Sequence, residues 1–174
     1  MNNTQKGLEV IQNESWFKRH AEQFFYEAML RGYAGSSTKG ESAELPGSRT
    51  IEFKDGSWRI LDLYMVSAAG PGSGGTTTLW YEDIPIWMMQ YVGQYEERAI
   101  PCLKAALAKA YGSLHFEGGR GPKLFFHDGL HYVNESAGDG FFGHSYGREF
   151  IYIPEGEYLG FHRYQSQWLT KGLW

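Results

Sequence analysis

The side chains of this sequence that could carry chemistry include six histidines and a single cysteine. His127 and His131 are four residues apart, but they flank a two-residue turn, so their imidazoles are expected to point to opposite faces of a sheet. Because Cys102 is the one cysteine, no Cys-x-x-Cys pair exists. We therefore expect neither a metal site nor a cofactor. The other four histidines are His20, His115, His144 and His162.

Acid–base chemistry would fall to carboxylates on the strands or turns. Asp62 is the most conspicuous, because it lies among apolar strand residues, where a carboxylate needs a structural partner or a ligand. A small enzyme using Asp62, Glu82 or a histidine as acid or base is therefore one open alternative. Nothing in the sequence singles out one histidine.

Two further positions resemble nucleophiles. Cys102 lies near the start of a predicted helix, where the dipole lowers a thiol pKa, although a buried structural cysteine is the commoner case. Ser145 is central in the G-x-S-x-G string from Gly143 to Gly147, which requires a strand before it and a helix after it. The strand-like segment that follows Ser145 predicts a turn instead.

The Gly70–Gly75 segment matches the G-x-G-x-x-G string of dinucleotide sites. That site needs the last glycine to open a helix whose N-terminus meets the pyrophosphate. Residues 76–80 have the composition of a strand, so we interpret the segment as a flexible connection between hairpins.

Aromatic residues make up 17% of the chain, which favours β structure and large contact surfaces. Trp and Tyr carry polar groups that need partners when buried, so a sheet rich in both often faces a cavity or an interface. An ordinary aromatic core is the alternative. The candidate ligand-binding residues are Trp58, Asp62, Tyr64, Trp80, Trp87, Tyr91 and Arg120.

Composition limits the class of protein. A chain of 174 residues fits one domain, and a formal charge of −4 argues against direct nucleic-acid binding. The single cysteine favours the reducing cytoplasm. We expect no signal peptide, and no apolar run approaches the roughly 20 residues of a membrane helix.

Hydrophobic periodicity predicts the elements that position these side chains. Helical spacing covers residues 15–31, with Gly32 as a stop, and residues 96–111, with Pro101 near the start. Acidic turns at 55–56, 82–83, 128–129 and 154–156 join alternating segments into four antiparallel hairpins. Residues 35–47, 67–76 and 136–147 are expected to form loops. The tail from 165 to 174 shows no clear pattern.

These elements predict an α+β fold in which an antiparallel sheet of about eight strands, built from hairpins, carries two helices packed on one face. We expect a single domain over residues 1–174, with residues 1–13 disordered.

Several short motifs follow one another in a fixed order: Phe25–Gly35, Pro46–Ser48, Phe53–Tyr64, Leu79–Gly93, Arg120–Pro122 and the closing hairpin from Phe150. This order resembles a bacterial domain of unknown function that occurs alone or behind an XRE-type helix-turn-helix in transcriptional regulators. The resemblance covers roughly residues 20–165 and implies a sensing or oligomerising role. No catalytic residue carries over from it. Residues 67–76 depart from the family, whose members usually carry an aromatic there. We expect no helix-turn-helix before this domain, so a DNA-binding role is not implied.

We therefore expect a binding or sensor domain, rather than an enzyme, that recognises a small molecule or a protein through its aromatic-rich sheet. A small enzyme and a protein-interaction subunit, such as a partner or inhibitor, stay open as alternatives. A homodimer also stays open. A closed pocket with a polar floor would favour the binding domain or the enzyme. A flat exposed aromatic patch would favour the protein-interaction subunit.

Overall fold

The computed structural model describes residues 14–34, 39–41 and 44–170. The segment 1–13, for which disorder is expected, lies outside this range. The described chain has helix α1 (Glu14–Ala34), a 3₁₀ turn (Glu97–Ala99) and helix α2 (Ile100–Gly112). The strands are β1 (Lys39–Gly40), β2 (Ser48–Asp55), β3 (Trp58–Val66), β4 (Gly72–Tyr81), β5 (Ile84–Tyr95), β6 (Leu124–His127), β7 (Leu130–Gly138), β8 (His144–Tyr152) and β9 (Tyr158–Trp168).

All nine strands belong to one antiparallel sheet of order β1-β2-β3-β4-β5-β9-β8-β7-β6. The predicted α+β class is confirmed, with eight full strands and the two-residue β1 at one edge. Consecutive strands pair within each half, and β5 pairs with β9 to join the halves. The β4–β5 hairpin and the β8–β9 hairpin therefore meet at the centre of the sheet.

The four predicted hairpins are all present. His127 pairs with Leu130, and both residues of the intervening turn have positive φ, as a type I′ turn requires. In the first hairpin the turn is one residue later than expected, because Asp55 pairs with Trp58 and Gly56 takes the positive φ.

Both helices cover the same face of the sheet. Phe17 and Phe25 of α1 contact Trp58 and Trp87 of the sheet, with ring centroids 5.2 and 5.0 Å apart, and Phe25 also meets Tyr111 of α2. Strand residues of one parity point into this core and the alternate residues point away from the helices. The core is thus as aromatic as the composition suggests.

Three local expectations are wrong. Gly32 does not end α1, which continues to Ala34; a Cβ at Gly32 would lie 2.8 Å from Ile51, so the glycine permits close packing on β2. The second half of the 67–76 loop is strand, because Ser73 pairs with Val66. The 136–147 loop shortens to a turn, since β7 extends to Gly138 and β8 begins at His144.

Candidate ligand-binding site

A cavity of about 580 Å³ lies between α2 and the central strands of the sheet. One wall is a stripe of α2 at helical spacing, formed by Ile100, Leu103 and Leu107, with Lys104 at its border. Ile51 of β2 extends the apolar wall. The volume falls within the range typical of pockets for small molecules, roughly 300–1,000 Å³.

The opposite side of the cavity is polar. It is formed by Ser73 of β4, Tyr91 and Tyr95 of β5, His162 of β9 and Arg120, which follows α2. Strand alternation places the four strand side chains on the helix-covered face of the sheet. An apolar wall facing a small set of convergent polar groups is the usual composition of a ligand site.

A buried ion pair lies behind this polar side, because Arg120 lines the cavity and pairs with Glu149, which does not line it. Arg120 is 2% exposed and Glu149, on β8, is fully buried. Arg120 donates from Nε to Glu149 Oε1 at 3.0 Å and also from Nη2, and the Tyr132 hydroxyl donates to Oε2. Two buried charges cost several kcal/mol per ion unless they are paired and hydrogen-bonded, and this arrangement supplies both conditions.

The loop at 117–121 holds Arg120 in this position. The Tyr111 hydroxyl of α2 donates to a carbonyl of the loop at 3.0 Å. From β7, Asn134 donates to two of its carbonyls, at 2.7 and 3.1 Å, while Tyr132 accepts from a loop N–H at 3.0 Å. The helix and the sheet together therefore fix where the guanidinium points.

Burial and neighbouring charges shift the pKa values of Glu149 and His162. Burial alone raises the pKa of Glu149, but the charge of Arg120 and the hydrogen bonds from His162 and Arg120 outweigh it and lower the pKa to about 2. Burial, assisted by Arg120, lowers the pKa of His162 against the opposing effect of Glu149. At neutral pH the cluster therefore holds an ionised carboxylate beside a neutral imidazole.

His162 links the ion pair to the cavity. Its Nδ1 lies 3.4 Å from Glu149 Oε1 and 3.4 Å from Arg120 Nη2, and its Nε2 lies 3.0 Å from Ser73 Oγ. Gly93 pairs with His162 on the adjacent strand, and a Cβ there would lie 2.8 Å from the imidazole. Because Gly93 has no side chain, the imidazole of His162 can occupy this space.

Asp62 is buried beside the cavity and is bonded to the sheet. Its carboxylate accepts hydrogen bonds from Thr77 at 2.8 Å and from the Tyr91 hydroxyl at 3.0 Å. The Tyr91 ring in turn lies under the Arg120 guanidinium, 5.3 Å from its centroid. The partner expected for this carboxylate is thus found within the protein.

The structure brings four of the seven candidate residues together. Tyr64, Tyr91 and Arg120 line the cavity and Asp62 supports Tyr91. The tryptophans lie elsewhere. Trp58 and Trp87 pack in the aromatic core, while Trp80 lies on the outer face with Arg59 over its ring at 4.7 Å.

The remaining candidates lie apart from this site. Glu82 occupies the β4–β5 turn, nine residues along the strand from Ser73 and so about 30 Å away. Cys102 is buried, and burial raises its pKa to about 11. Ser145 lies at the start of β8, where it donates to the Gly140 carbonyl at 3.1 Å.

The predicted separation of two histidines is confirmed. His131 pairs with Phe126, next to the pair of His127 with Leu130, so the two imidazoles lie on opposite faces. Within residues 14–34, 39–41 and 44–170, no group of three His, Cys, Asp or Glu side chains could hold a metal ion.

Sequence reasoning missed Ser73, Glu149 and His162 as members of one site. The available signal was strand parity, since Glu149 and Ile151 share a face, as do His162, Tyr164 and Trp168. Parity does not say which strands become neighbours. The pairing of β5 with β9, which sets Ser73 near His162, has no local signature.

No helix in the described part of the chain is long and apolar enough to cross a membrane. Comparison of the sequence and the structure with family models, curated proteins and solved structures gives no match.

Proposed function

We propose that this chain is a binding domain for a small molecule, which occupies the cavity between α2 and the sheet. The observation that carries the proposal is the division of that cavity into an apolar wall on α2 and a polar side that ends in the buried Arg120–Glu149 pair. The ligand has an apolar portion against Leu103 and Leu107 and a polar portion directed at Ser73 and His162. The lone, buried Cys102 agrees with a cytoplasmic setting, which is part of this proposal.

The ion pair supports a binding role more than a purely structural one. A buried salt bridge adds little net stability, because desolvation offsets the attraction. Strongly perturbed pKa values beside a cavity are instead typical of functional sites. The ion pair holds a cation and an imidazole in place before any ligand arrives, which lowers the entropic cost of binding.

A blocked cavity tests the proposal. Ile100 is half-buried at the cavity wall, so Ile100→Trp should fill part of the space. Leu124→Trp is the matched control, because Leu124 is exposed on the edge strand β6 and does not line the cavity. The probe is 1-anilinonaphthalene-8-sulfonate, followed by fluorescence titration.

We expect the wild type and Leu124→Trp to bind the probe with the same Kd, and Ile100→Trp to bind it at least about 10-fold more weakly, a loss of about 1.4 kcal/mol. Native mass spectrometry of the wild type should also retain any small molecule that co-purifies. Equal probe binding by all three proteins, with nothing retained, would overturn the proposal.

A further inference from the structure

The imidazole of His162 lies between a hydroxyl and a carboxylate. Ser73 Oγ lies 3.0 Å from Nε2, and Nδ1 on the other side of the ring lies 3.4 Å from Glu149 Oε1. A nucleophile in reach of a base, with the base oriented by a third group, is the geometric signature of covalent acyl transfer. The three residues come from β4, β8 and β9 and are joined only by the fold.

We propose that the cavity hydrolyses a carboxylic ester, with Ser73 as nucleophile, His162 as general base and Glu149 as the positioning residue. The inference rests on the proposed binding function, because the ester occupies the same cavity, and it departs from the expectation of binding without catalysis. The apolar stripe on α2 favours an ester of an apolar acid.

The direction of the Ser73–His162 hydrogen bond depends on the imidazole tautomer. Two groups face Nδ1 at 3.4 Å: Glu149 Oε1, which accepts and favours a proton on Nδ1, and Arg120 Nη2, which donates and favours the other tautomer. A proton on Nδ1 leaves Nε2 free to accept from the Ser73 hydroxyl. Arg120 and Tyr132 donate to the same carboxylate and hold it in place. Catalysis therefore requires the tautomer with its proton on Nδ1, in which Nε2 accepts the serine proton.

Ser73 is accessible to a substrate, as a nucleophile must be. Its side chain is half-buried and lines the cavity together with His162. It lies near the start of β4, inside the Gly70–Gly75 segment, so the backbone around it carries little side-chain bulk. The G-x-G-x-x-G string thus supplies the serine rather than a phosphate-binding loop.

The chemical step balances with water as the second substrate. Ser73 Oγ bonds to the ester carbonyl carbon while His162 Nε2 takes the hydroxyl proton; the ester C–O bond then breaks and the leaving alcohol takes that proton. Water next attacks the acylated Ser73, again losing a proton to His162, which returns it to the departing Ser73 oxygen. The products are one alcohol and one carboxylic acid.

The protonation state of His162 should determine how kcat/KM depends on pH. Its lowered pKa keeps the imidazole neutral, so kcat/KM should rise to a plateau with an apparent pKa below 6.5. In Glu149→Gln the carboxylate that favours the imidazolium is gone, so this acid limb should move to still lower pH. The groups that face or influence the ring are Ser73, Tyr91, Tyr95, Asp62, Glu149 and Arg120.

The test uses a fluorophosphonate, which modifies activated serines, and p-nitrophenyl butyrate. Peptide mapping of the labelled wild type should find the label on Ser73. Ser73→Ala should lose the label and at least about 100-fold in kcat, the low end of the contribution of a positioned base. His162→Gln should do the same. Ser67→Ala, a change at an exposed serine six residues away, should behave as the wild type.

The two proposals fail separately. If the wild type binds the naphthalene sulfonate in the cavity but Ser73 is not labelled, and Ser73→Ala matches the wild type on the ester, catalysis is refuted and binding stands. If the probe does not bind and no label appears, both are refuted. A label on another serine refutes the assignment of Ser73 even if hydrolysis is measured.

Discussion

Replacing Arg120 with methionine should destabilise the protein more than a change at any surface arginine. The substitution keeps most of the side-chain volume but leaves Glu149 fully buried without its cation. Removal of one partner of a buried pair typically costs about 3–5 kcal/mol, because the other charge stays uncompensated. The expected loss for Arg120→Met is therefore about 3–5 kcal/mol at pH 7.

The lowered pKa of Glu149 indicates a similar free energy. A fall from 4.5 to about 2 corresponds to about 3 kcal/mol of preference for the ionised carboxylate in the folded protein. Much of that preference comes from Arg120. Without the guanidinium, burial dominates and the pKa of Glu149 should rise above 4.5.

The two proteins should then respond to acid in opposite directions. In the wild type the contribution of Glu149 is complete above pH 4.5 and is lost as the pH falls toward 2, while His162, whose pKa is lowered, costs stability as the pH falls through 6.5. In Arg120→Met the folded state takes up a proton on Glu149. Its stability should therefore rise as the pH falls from 7 to 5.

Urea unfolding at pH 7 and pH 5 measures both effects. Arg148→Met is the matched control, because Arg148 pairs with Glu135 across neighbouring strands but is exposed, so no resolvable change is expected. The double variant Arg120→Met/Glu149→Gln should recover about 2 kcal/mol relative to Arg120→Met alone. The reasoning is refuted if Arg120→Met loses no more than Arg148→Met, or if it keeps the pH response of the wild type.

Three further outcomes are expected. Trp87→Ala should cost about 3–5 kcal/mol in urea melts because a core cavity forms, whereas Trp80→Ala on the outer face should cost well under half of that; similar losses would contradict the assignment of faces. Iodoacetamide at pH 8 should modify Cys102 at least about 100-fold more slowly in the folded than in the urea-unfolded protein, since burial raises its pKa to about 11; equal rates would show the thiol to be accessible. NAD, NADP and ATP should leave Tm unchanged, because Gly70–Gly75 runs into strand β4 rather than into a helix. A ligand at 100 times its Kd adds roughly 2.7 kcal/mol of stability, so a Tm shift of that size would show that a nucleotide binds.

The sequence by itself determined the elements and the four hairpins. Alternation of apolar residues and acidic turns are local properties, and a turn such as Asp128-Gly129 needs only positive φ at two adjacent residues. The end of α1 could not be predicted locally, because Gly32 lies inside the helix where a Cβ would approach Ile51 of β2 to 2.8 Å, a tertiary constraint. Tyr64, Tyr91 and Arg120, which line the cavity, were among the predicted ligand-binding residues. Three tryptophans that do not line it were predicted on the same aromatic composition.

Tertiary structure alone decided which side chains share a site. Ser73 and His162 are 89 residues apart, and Arg120 and Glu149 are 29 apart, yet each pair is in contact. The pairing of β5 with β9 and the docking of the 117–121 loop create these contacts, and both depend on the packing of the helices and the whole sheet. Local propensity specifies a strand and its turn. The order of hairpins within a sheet is set by burial of the common core, to which every strand contributes at once.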